Sequence, residues 1–260
     1  MGVRSRGLAT GLAALSLLAA GCRSTSPRLV EVQGASAGGV RVVVAPMNLS
    51  VPLDHDLQDA VDPVTWELTR YLQQRGAKPA IIWSTDASAL WGEIENALHK
   101  DPEKTPRVED VASRFAIAVA AETRFDLLVI PSLLYRDASV DGRVARWDGV
   151  RRRIRFVVAP AAVAPGMVGS GDDRPVAPGW RTFHGQITGL SLHVLIVTGD
   201  GRIVFQGLGG LDLVHSVQEG LGSAEPLLRL EPNLLADPDH VREGIAVALD
   251  PYLIARTRSR

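Results

Sequence analysis

The feature that most limits how this chain can fold is its cysteine content, because Cys22 is the only cysteine among 260 residues. One thiol cannot form an internal disulfide, so even in an oxidising compartment the fold must be stabilised by an apolar core. The composition suits such a core, since 46% of the residues are hydrophobic and 22% are charged. The net charge of -1 leaves no global basic field to hold a nucleic acid, and we expect no nucleic-acid partner.

The residues before Cys22 have the organisation of an export signal. Arg4 and Arg6 make the start positive, and residues 8–20 form an uncharged run rich in Leu and Ala. A permanent membrane helix needs about 20 apolar residues, so this run is too short to be one. We therefore expect residues 1–21 to be a signal peptide.

Residues 18–22 (LAAGC) resemble the lipobox of bacterial lipoproteins, although Ala19 stands where a larger aliphatic residue is commoner. The resemblance implies cleavage before Cys22 and its acylation with chains such as palmitate. Arg23 follows, where lipoproteins kept in the inner membrane often carry Asp, so the resemblance favours the outer membrane, facing the periplasm. The alternative is a plain secretory signal followed by a leftover cysteine.

The rest of the chain is predicted to be a flexible tether, residues 22–39, and one α+β domain, residues 40–260. The first half alternates as β-α-β-α-α-β, with strands at 40–46, 78–83 and 126–131. Asp62 is predicted to cap the first helix, and Ser84 or Thr85 the second. A third helix is expected to carry Val108, Phe115 and Val119 on one stripe.

The second half is predicted to be a meander of strands followed by a helix. Strands at 133–140, 143–147 and 150–158 are joined by two Asp-Gly turns, and Gly199-Asp200-Gly201 joins strands at 186–198 and 202–206. Residues 159–179 form a long loop containing Asp172 and Asp173, interpreted as solvated acids. Asp237 and Pro238 start the last helix, which Pro251 should bend or end.

We expect a mixed sheet with helices packed on one side and a single core. The residues predicted to share that core are Val42, Val44, Leu68, Leu72, Phe115, Leu128, Ile130, Val194, Ile196, Ile203 and Ile245.

Three segments carry a second resemblance: VRVVVAP at 40–46, FDLLVIP at 125–131 and VTGDGRIVF at 197–205. Together with the lipobox and the element order, they resemble periplasm-facing lipoproteins of the curli-secretion-channel family and activator lipoproteins of peptidoglycan synthases. These share a fold with the amino-terminal domain of the Tol-Pal beta-propeller protein. The resemblance covers most of residues 40–254 and implies a non-enzymatic adaptor or scaffold in envelope assembly or export. Its alternative is a subunit of an outer-membrane secretion channel, and a homo-oligomer stays open.

Motifs for catalysis or cofactor binding are weak, and we expect no metal and no cofactor. Ser191 lacks the second glycine of a hydrolase elbow, although an envelope hydrolase is kept as a further alternative. His193 is interpreted as a sheet histidine, and residues 207–210 (GLGG) as a turn or bulge. Two short groups rich in Asp and His are interpreted as loop acids and a helix cap: Asp54, His55 and Asp56, and Asp237, Asp239 and His240.

One charged run stands out, because Arg151, Arg153 and Arg155 alternate along a predicted strand and so share one face. The opposite face is apolar. The plain interpretation is the solvated face of an edge strand that uses charge to block aggregation. The functional interpretation is a docking strip for anionic headgroups or a carboxylate-rich partner, with Trp147 as a nearby amphipathic anchor.

Overall fold

The computed structural model describes residues 27–31, 39–99, 105–158, 182–219 and 227–258. Four α-helices occur in these ranges, together with a 3₁₀ helix at His55–Ala60. The helices are α1 (Val61–Gln74), α2 (Ser84–Leu98), α3 (Val108–Glu122) and α4 (Pro238–Arg258). The strands are β1 (Leu29–Glu31), β2 (Val40–Val44), β3 (Ala77–Ile82), β4 (Leu127–Gly142), β5 (Val144–Trp147), β6 (Val150–Arg153), β7 (Phe156–Val158), β8 (Phe183–Val197), β9 (Ile203–Leu213), β10 (His215–Glu219) and β11 (Leu227–Leu230).

Eight of the described strands form one mixed sheet, which confirms the α+β class. Strands β2, β3 and β4 are parallel, while β1, β5, β6, β8 and β9 pair with antiparallel neighbours. Strands β7, β10 and β11 form a second, small sheet. The predicted first half and the carboxyl-terminal helix are also present.

Strand β4 is longer than the sequence predicts, because the two expected strands at 126–131 and 133–140 are continuous. Strand β8 pairs with it in unbroken register from Leu128 to Gly142. The other edge of β4 is divided, since β2 pairs at its start and β5 pairs near its end. A long strand shared in this way joins the parallel half of the sheet to the β5–β6 hairpin.

The helices lie on both faces of the sheet, which differs from the expected placement on one side. Alternate side chains of a strand point to opposite faces, so Val42 and Val44 pack under α1 and α4 while Val43 packs under α2 and α3. The predicted core residues are accordingly divided. Phe115, Leu128 and Ile130 belong to the second face, and Ile203 packs against them; the others belong to the first. The runs 42–45 and 127–130 are apolar at every position because both faces of these strands are covered.

Part of the predicted tether belongs to the sheet. Leu29, Val30 and Glu31 pair antiparallel with β3, and the backbone NH of Trp83 donates to the Arg28 carbonyl over 3.0 Å. The Arg28 NH in turn donates to the Asp86 carboxylate at 2.9 Å. The prediction of a flexible tether over residues 22–39 is therefore wrong at 28–31.

Helix ends also differ slightly from the prediction. Helix α1 begins at Val61, directly after the 3₁₀ helix, so Asp62 lies in its first turn and is not its cap. Ser84 is likewise the first residue of α2. Helix α4 continues past Pro251, so of the two predicted effects this proline does not end the helix. Within the described ranges, no helix has the length and hydrophobicity needed to cross a membrane.

Candidate interaction site

The β5–β6 hairpin presents the arginine strip on its outer face. Among the described strands, β6 lies at the end of the large sheet and pairs within it only with β5. Arg151, Arg153 and Arg155 are exposed, whereas Arg152 and Ile154 between them are buried. The alternation predicted from the sequence is therefore present, and it places charged side chains toward solvent.

Arg146 extends this face, a contribution that the sequence analysis missed. It is exposed and lies directly opposite Arg151 in the β5–β6 register. Among the described residues, no ion pair within 4.0 Å involves Arg146, Arg151 or Arg153. Like charges opposite each other on paired strands repel, so this cluster costs stability. We call Arg146, Arg151 and Arg153 the arginine face. The Asp148-Gly149 turn was the sequence signal that could have placed Arg146 there, because it fixes the register of β5 against β6.

Arg155 differs from the other two predicted members of the strip. Its Nη1 lies 2.7 Å from Oε1 of Glu231, whose side chain is largely buried. Its backbone carbonyl accepts from the NH of Val217 in β10. Arg155 therefore joins the end of the strip to the small sheet, and its charge is already balanced.

Trp147 is not a surface anchor, which corrects the predicted role. Only 6% of it is exposed, and its indole Nε1 donates to the Leu190 carbonyl at 3.3 Å. The ring lies against the backbone of Gly189 and Gly210, where an added Cβ atom would approach it to 2.7 Å. Two glycines on neighbouring strands leave the space that this indole fills, so Trp147 fixes the hairpin against the sheet.

Arg152 fixes the same hairpin to α4. Its buried guanidinium places Nη1 2.6 Å from Oε2 of Glu243, and Nη2 donates to the carbonyls of His240 and Leu211 at 3.1 and 3.4 Å. A buried charge must be paired and hydrogen-bonded to be tolerated, and this guanidinium has both kinds of partner. The arginine face thus rests on a rigid hairpin held from below by Trp147 and Arg152.

A cleft of about 490 Å³ lies between the 3₁₀ helix and the segment that follows β11. Its lining includes His55, Asp56, Asp59 and Glu231 together with apolar residues. Burial raises the pKa of the Tyr135 hydroxyl, which also lines the cleft, and the charges of Asp54 and Asp56 raise it further. The cleft is acidic, and Glu231 connects it to Arg155.

The two groups considered for metal binding have other contacts. Asp54 caps the 3₁₀ helix by accepting from the NH of His55. Asp237 accepts from the NH of Asp239, and this hydrogen bond is the largest cause that lowers the pKa of the Asp237 carboxyl. Within the described part of the chain, no three His, Cys, Asp or Glu residues converge as metal ligands.

Ser191 and His193 do not form a nucleophile and base. The Ser191 hydroxyl is fully buried and donates to Oδ2 of Asp148 at 2.7 Å, and Arg136 Nε lies 3.3 Å from the same oxygen. Burial lowers the pKa of His193, partly opposed by the charge of Glu109. This buried serine serves to orient the turn carboxylate.

The glycines at 207–210 lie within β9, and not in a turn. A Cβ atom at Gly207 would come within 2.0 Å of the Ala248 carbonyl oxygen, and one at Gly209 within 1.9 Å of the Gly244 carbonyl oxygen. The register of β9 against β8 shifts beside them, between Leu190 and Ser191, so the predicted bulge is close by. These glycines let α4 approach the sheet closely.

Cys22, Asp172 and Asp173 lie outside the described residues. No protein-family model matches the chain, and a search of curated proteins finds no match.

Proposed function

We propose that this chain is a lipid-anchored periplasmic adaptor that acts without catalysis in assembly of, or export across, the cell envelope. Acylated Cys22 attaches it to the inner leaflet of the outer membrane. The domain then offers the arginine face to an anionic or carboxylate-rich envelope partner. The observation that carries the proposal is the position of Cys22, directly after small residues and an uncharged run of export-signal length.

The lipobox supports the anchor, since two or three acyl chains make attachment effectively permanent at roughly 0.8 kcal/mol per buried CH₂ group. Attachment of this kind restricts the domain to one surface. Partners would therefore be met at the same membrane, where even a weak contact is favoured by high effective concentration.

The arginine face supports the partner chemistry. Its three guanidiniums are exposed, unpaired among the described residues and held on a rigid hairpin. Guanidinium groups bind carboxylates and phosphates through two parallel hydrogen bonds, so a preorganised row of them suits an anionic surface. The repulsion between Arg146 and Arg151 is relieved when such a surface binds.

Cys22→Ser is expected to release the protein from the membrane, because it removes the sulfur that would carry the lipid. The variant should be recovered in the soluble periplasmic fraction, with the signal retained or cut at another position. Fractionation and mass spectrometry of the protein expressed in a bacterial host measure both results.

Globomycin, which blocks lipoprotein signal peptidase, is the control for the processing step. The wild-type precursor should accumulate in its presence. A Cys22→Ser protein that still sediments with outer membranes, with wild-type processing insensitive to globomycin, contradicts the lipid anchor.

Joint replacement of Arg151 and Arg153 by Ser is expected to weaken crosslinking to the envelope partner while leaving the fold intact. Both side chains are exposed and form no ion pair among the described residues, so their replacement should change stability little. Crosslinking by the wild type should also fall as salt is added, because exposed charges are screened beyond about 8 Å at physiological ionic strength. Crosslinked product in intact envelopes is the quantity measured.

The matched control replaces Arg114 and Arg124, two exposed arginines away from the hairpin, with Ser. It removes the same charge and should leave crosslinking unchanged. Equal crosslinking by wild type and by the Arg151/Arg153 variant, with more aggregation of the variant, would identify the arginine face as edge protection.

A further inference from the structure

The edge strand β1 and the residue that follows β3 form an exposed row on one face of the sheet. Leu29 pairs with Ile82 and Val30 pairs with Ile81, so Arg28, Val30, Ile81 and Trp83 point to the same side. Val30 is 47% exposed and Trp83 is 51% exposed. The Arg28 guanidinium lies over the Trp83 ring, 5.7 Å from its centre, with its own side chain largely in solvent. We call Arg28, Val30 and Trp83 the edge patch.

The edge patch is close to Cys22 along the chain. Six residue steps separate Cys22 from Arg28, which limits their separation to about 20–22 Å in any conformation of the connecting residues. A domain of about 220 residues has a radius of gyration of roughly 17 Å, equivalent to a sphere roughly 45 Å across. The connection is shorter than the domain is wide, so an anchored Cys22 keeps this edge of the sheet on the membrane side.

We propose that the edge patch contacts the surface of the bilayer that holds the acyl chains of Cys22. This inference rests on the proposed lipid anchor. The contact fixes the orientation of the domain, with β1 toward the lipid headgroups and the rest of the sheet away from them.

The chemistry of the patch suits an interface between water and lipid. Tryptophan concentrates at the headgroup level, where its ring is partly buried and its NH stays hydrated. Arg28 has an apolar stem and a charged end, a side chain suited to the same level of the bilayer, and the proposed contact would bring its guanidinium, which lies over the Trp83 ring, to the lipid phosphates. One carboxylate, that of Asp86, lies 3.4 Å from Arg28 Nε, so the charge on this patch is partly balanced and its apolar area is the larger contribution.

The test uses the single cysteine of the chain. Once Cys22 is acylated its sulfur is blocked, so a second cysteine is the only free thiol in the protein. The acylated Val30→Cys protein is labelled with an environment-sensitive fluorophore and placed in vesicles of phosphatidylcholine and phosphatidylglycerol. Lipids brominated near the headgroup should quench this label. Iodide in the buffer should quench it less than it quenches the same label in the soluble protein that carries both Cys22→Ser and Val30→Cys.

Ile117→Cys is the matched control, because Ile117 is 51% exposed and lies at the other end of the sheet. Ile117 lies beside Gly201, in the turn that joins β8 to β9. This turn is next to the first residues of β4, because Val197 at the end of β8 pairs with Leu128. Strand β1 pairs with the last residues of β3, at the opposite end of the parallel strands. The label at position 117 should be quenched by iodide and not by brominated lipid.

Trp83→Ser in the Val30→Cys protein should reduce quenching by brominated lipid. A second measurement needs no label: brominated lipid should quench the intrinsic fluorescence of the acylated wild type more than that of Trp83→Phe. Equal quenching of the labels at 30 and 117, or no effect of either Trp83 substitution, overturns the edge-patch contact. Mass spectrometry of the same samples distinguishes a failure of the edge-patch contact from a failure of the lipid anchor. A protein without acyl chains contradicts the proposed anchor itself.

Discussion

Leu128→Ala is expected to lower the free energy of unfolding by about 2–5 kcal/mol. Leu128 is fully buried on the sheet face covered by α2 and α3, in the cluster that contains Phe115. Truncation removes apolar contacts and leaves a cavity that the paired strands β2, β4 and β8 cannot easily close. Urea unfolding of the soluble Cys22→Ser protein, followed by circular dichroism, measures the loss.

Leu228→Ala is the control for that experiment, because Leu228 is 46% exposed in β11 and its truncation should change stability little. Leu68→Ala is a second arm on the opposite face of the sheet, where Leu68 is also fully buried. The losses from Leu68 and Leu128 should add, since the two side chains belong to different clusters. Wild-type stability of Leu128→Ala, or strong coupling between the two truncations, contradicts the packing described above.

Local signals in the sequence predicted the fold well where the structure is determined by near neighbours. The Asp148-Gly149 turn has Asp148 at φ 33° and Gly149 at φ 81°, as hairpins with positive φ require. The exposure of Arg151 and Arg153 follows from strand alternation alone. Each of these features depends on a few consecutive residues, so one sequence suffices to find them.

Features that depend on distant residues were missed or mistaken. The side chain of Trp147 is amphipathic, as that of a surface anchor would be, but it is buried because Gly189 and Gly210 leave room for it. Arg152 is paired with Glu243, 91 positions away, and no local pattern indicates which acid will reach it. The placement of helices on both faces could have been predicted from the sequence, because strands with fully apolar runs, such as 42–45 and 127–130, have two buried faces.

Residues 28–31, which were predicted to belong to the tether, are another case in which distant residues decide the local structure. The short segment 28–31 has no strong strand pattern, yet β3 offers it an unpaired edge and Asp86 accepts two hydrogen bonds from Arg28. Pairing to an existing edge satisfies backbone groups that a short strand cannot satisfy by itself. Its inclusion in the sheet shortens the connection to Cys22, which is the basis of the expected orientation at the membrane.

Gly209→Val is expected to lower the free energy of unfolding by about 3 kcal/mol, the upper end of the usual range for an overpacked core. The new Cβ would lie 1.9 Å from the carbonyl oxygen of Gly244, which is backbone and cannot rotate away. Valine suits strands, so its intrinsic preference does not account for a loss. Helix α4 must therefore move outward from β9, and urea unfolding measures the cost.

Gly92→Ala in α2 is the matched control, because no atom of the described residues outside this helix lies within 4 Å of the added methyl group and alanine favours helix. It should raise stability by about 0.5–1 kcal/mol. Displacement of α4 has a further consequence, since Glu243 beside Gly244 holds Arg152 under the arginine face. Amides of β5 and β6 should lose hydrogen-exchange protection in Gly209→Val and keep it in Gly92→Ala; full protection in both would show that the hairpin is held without α4.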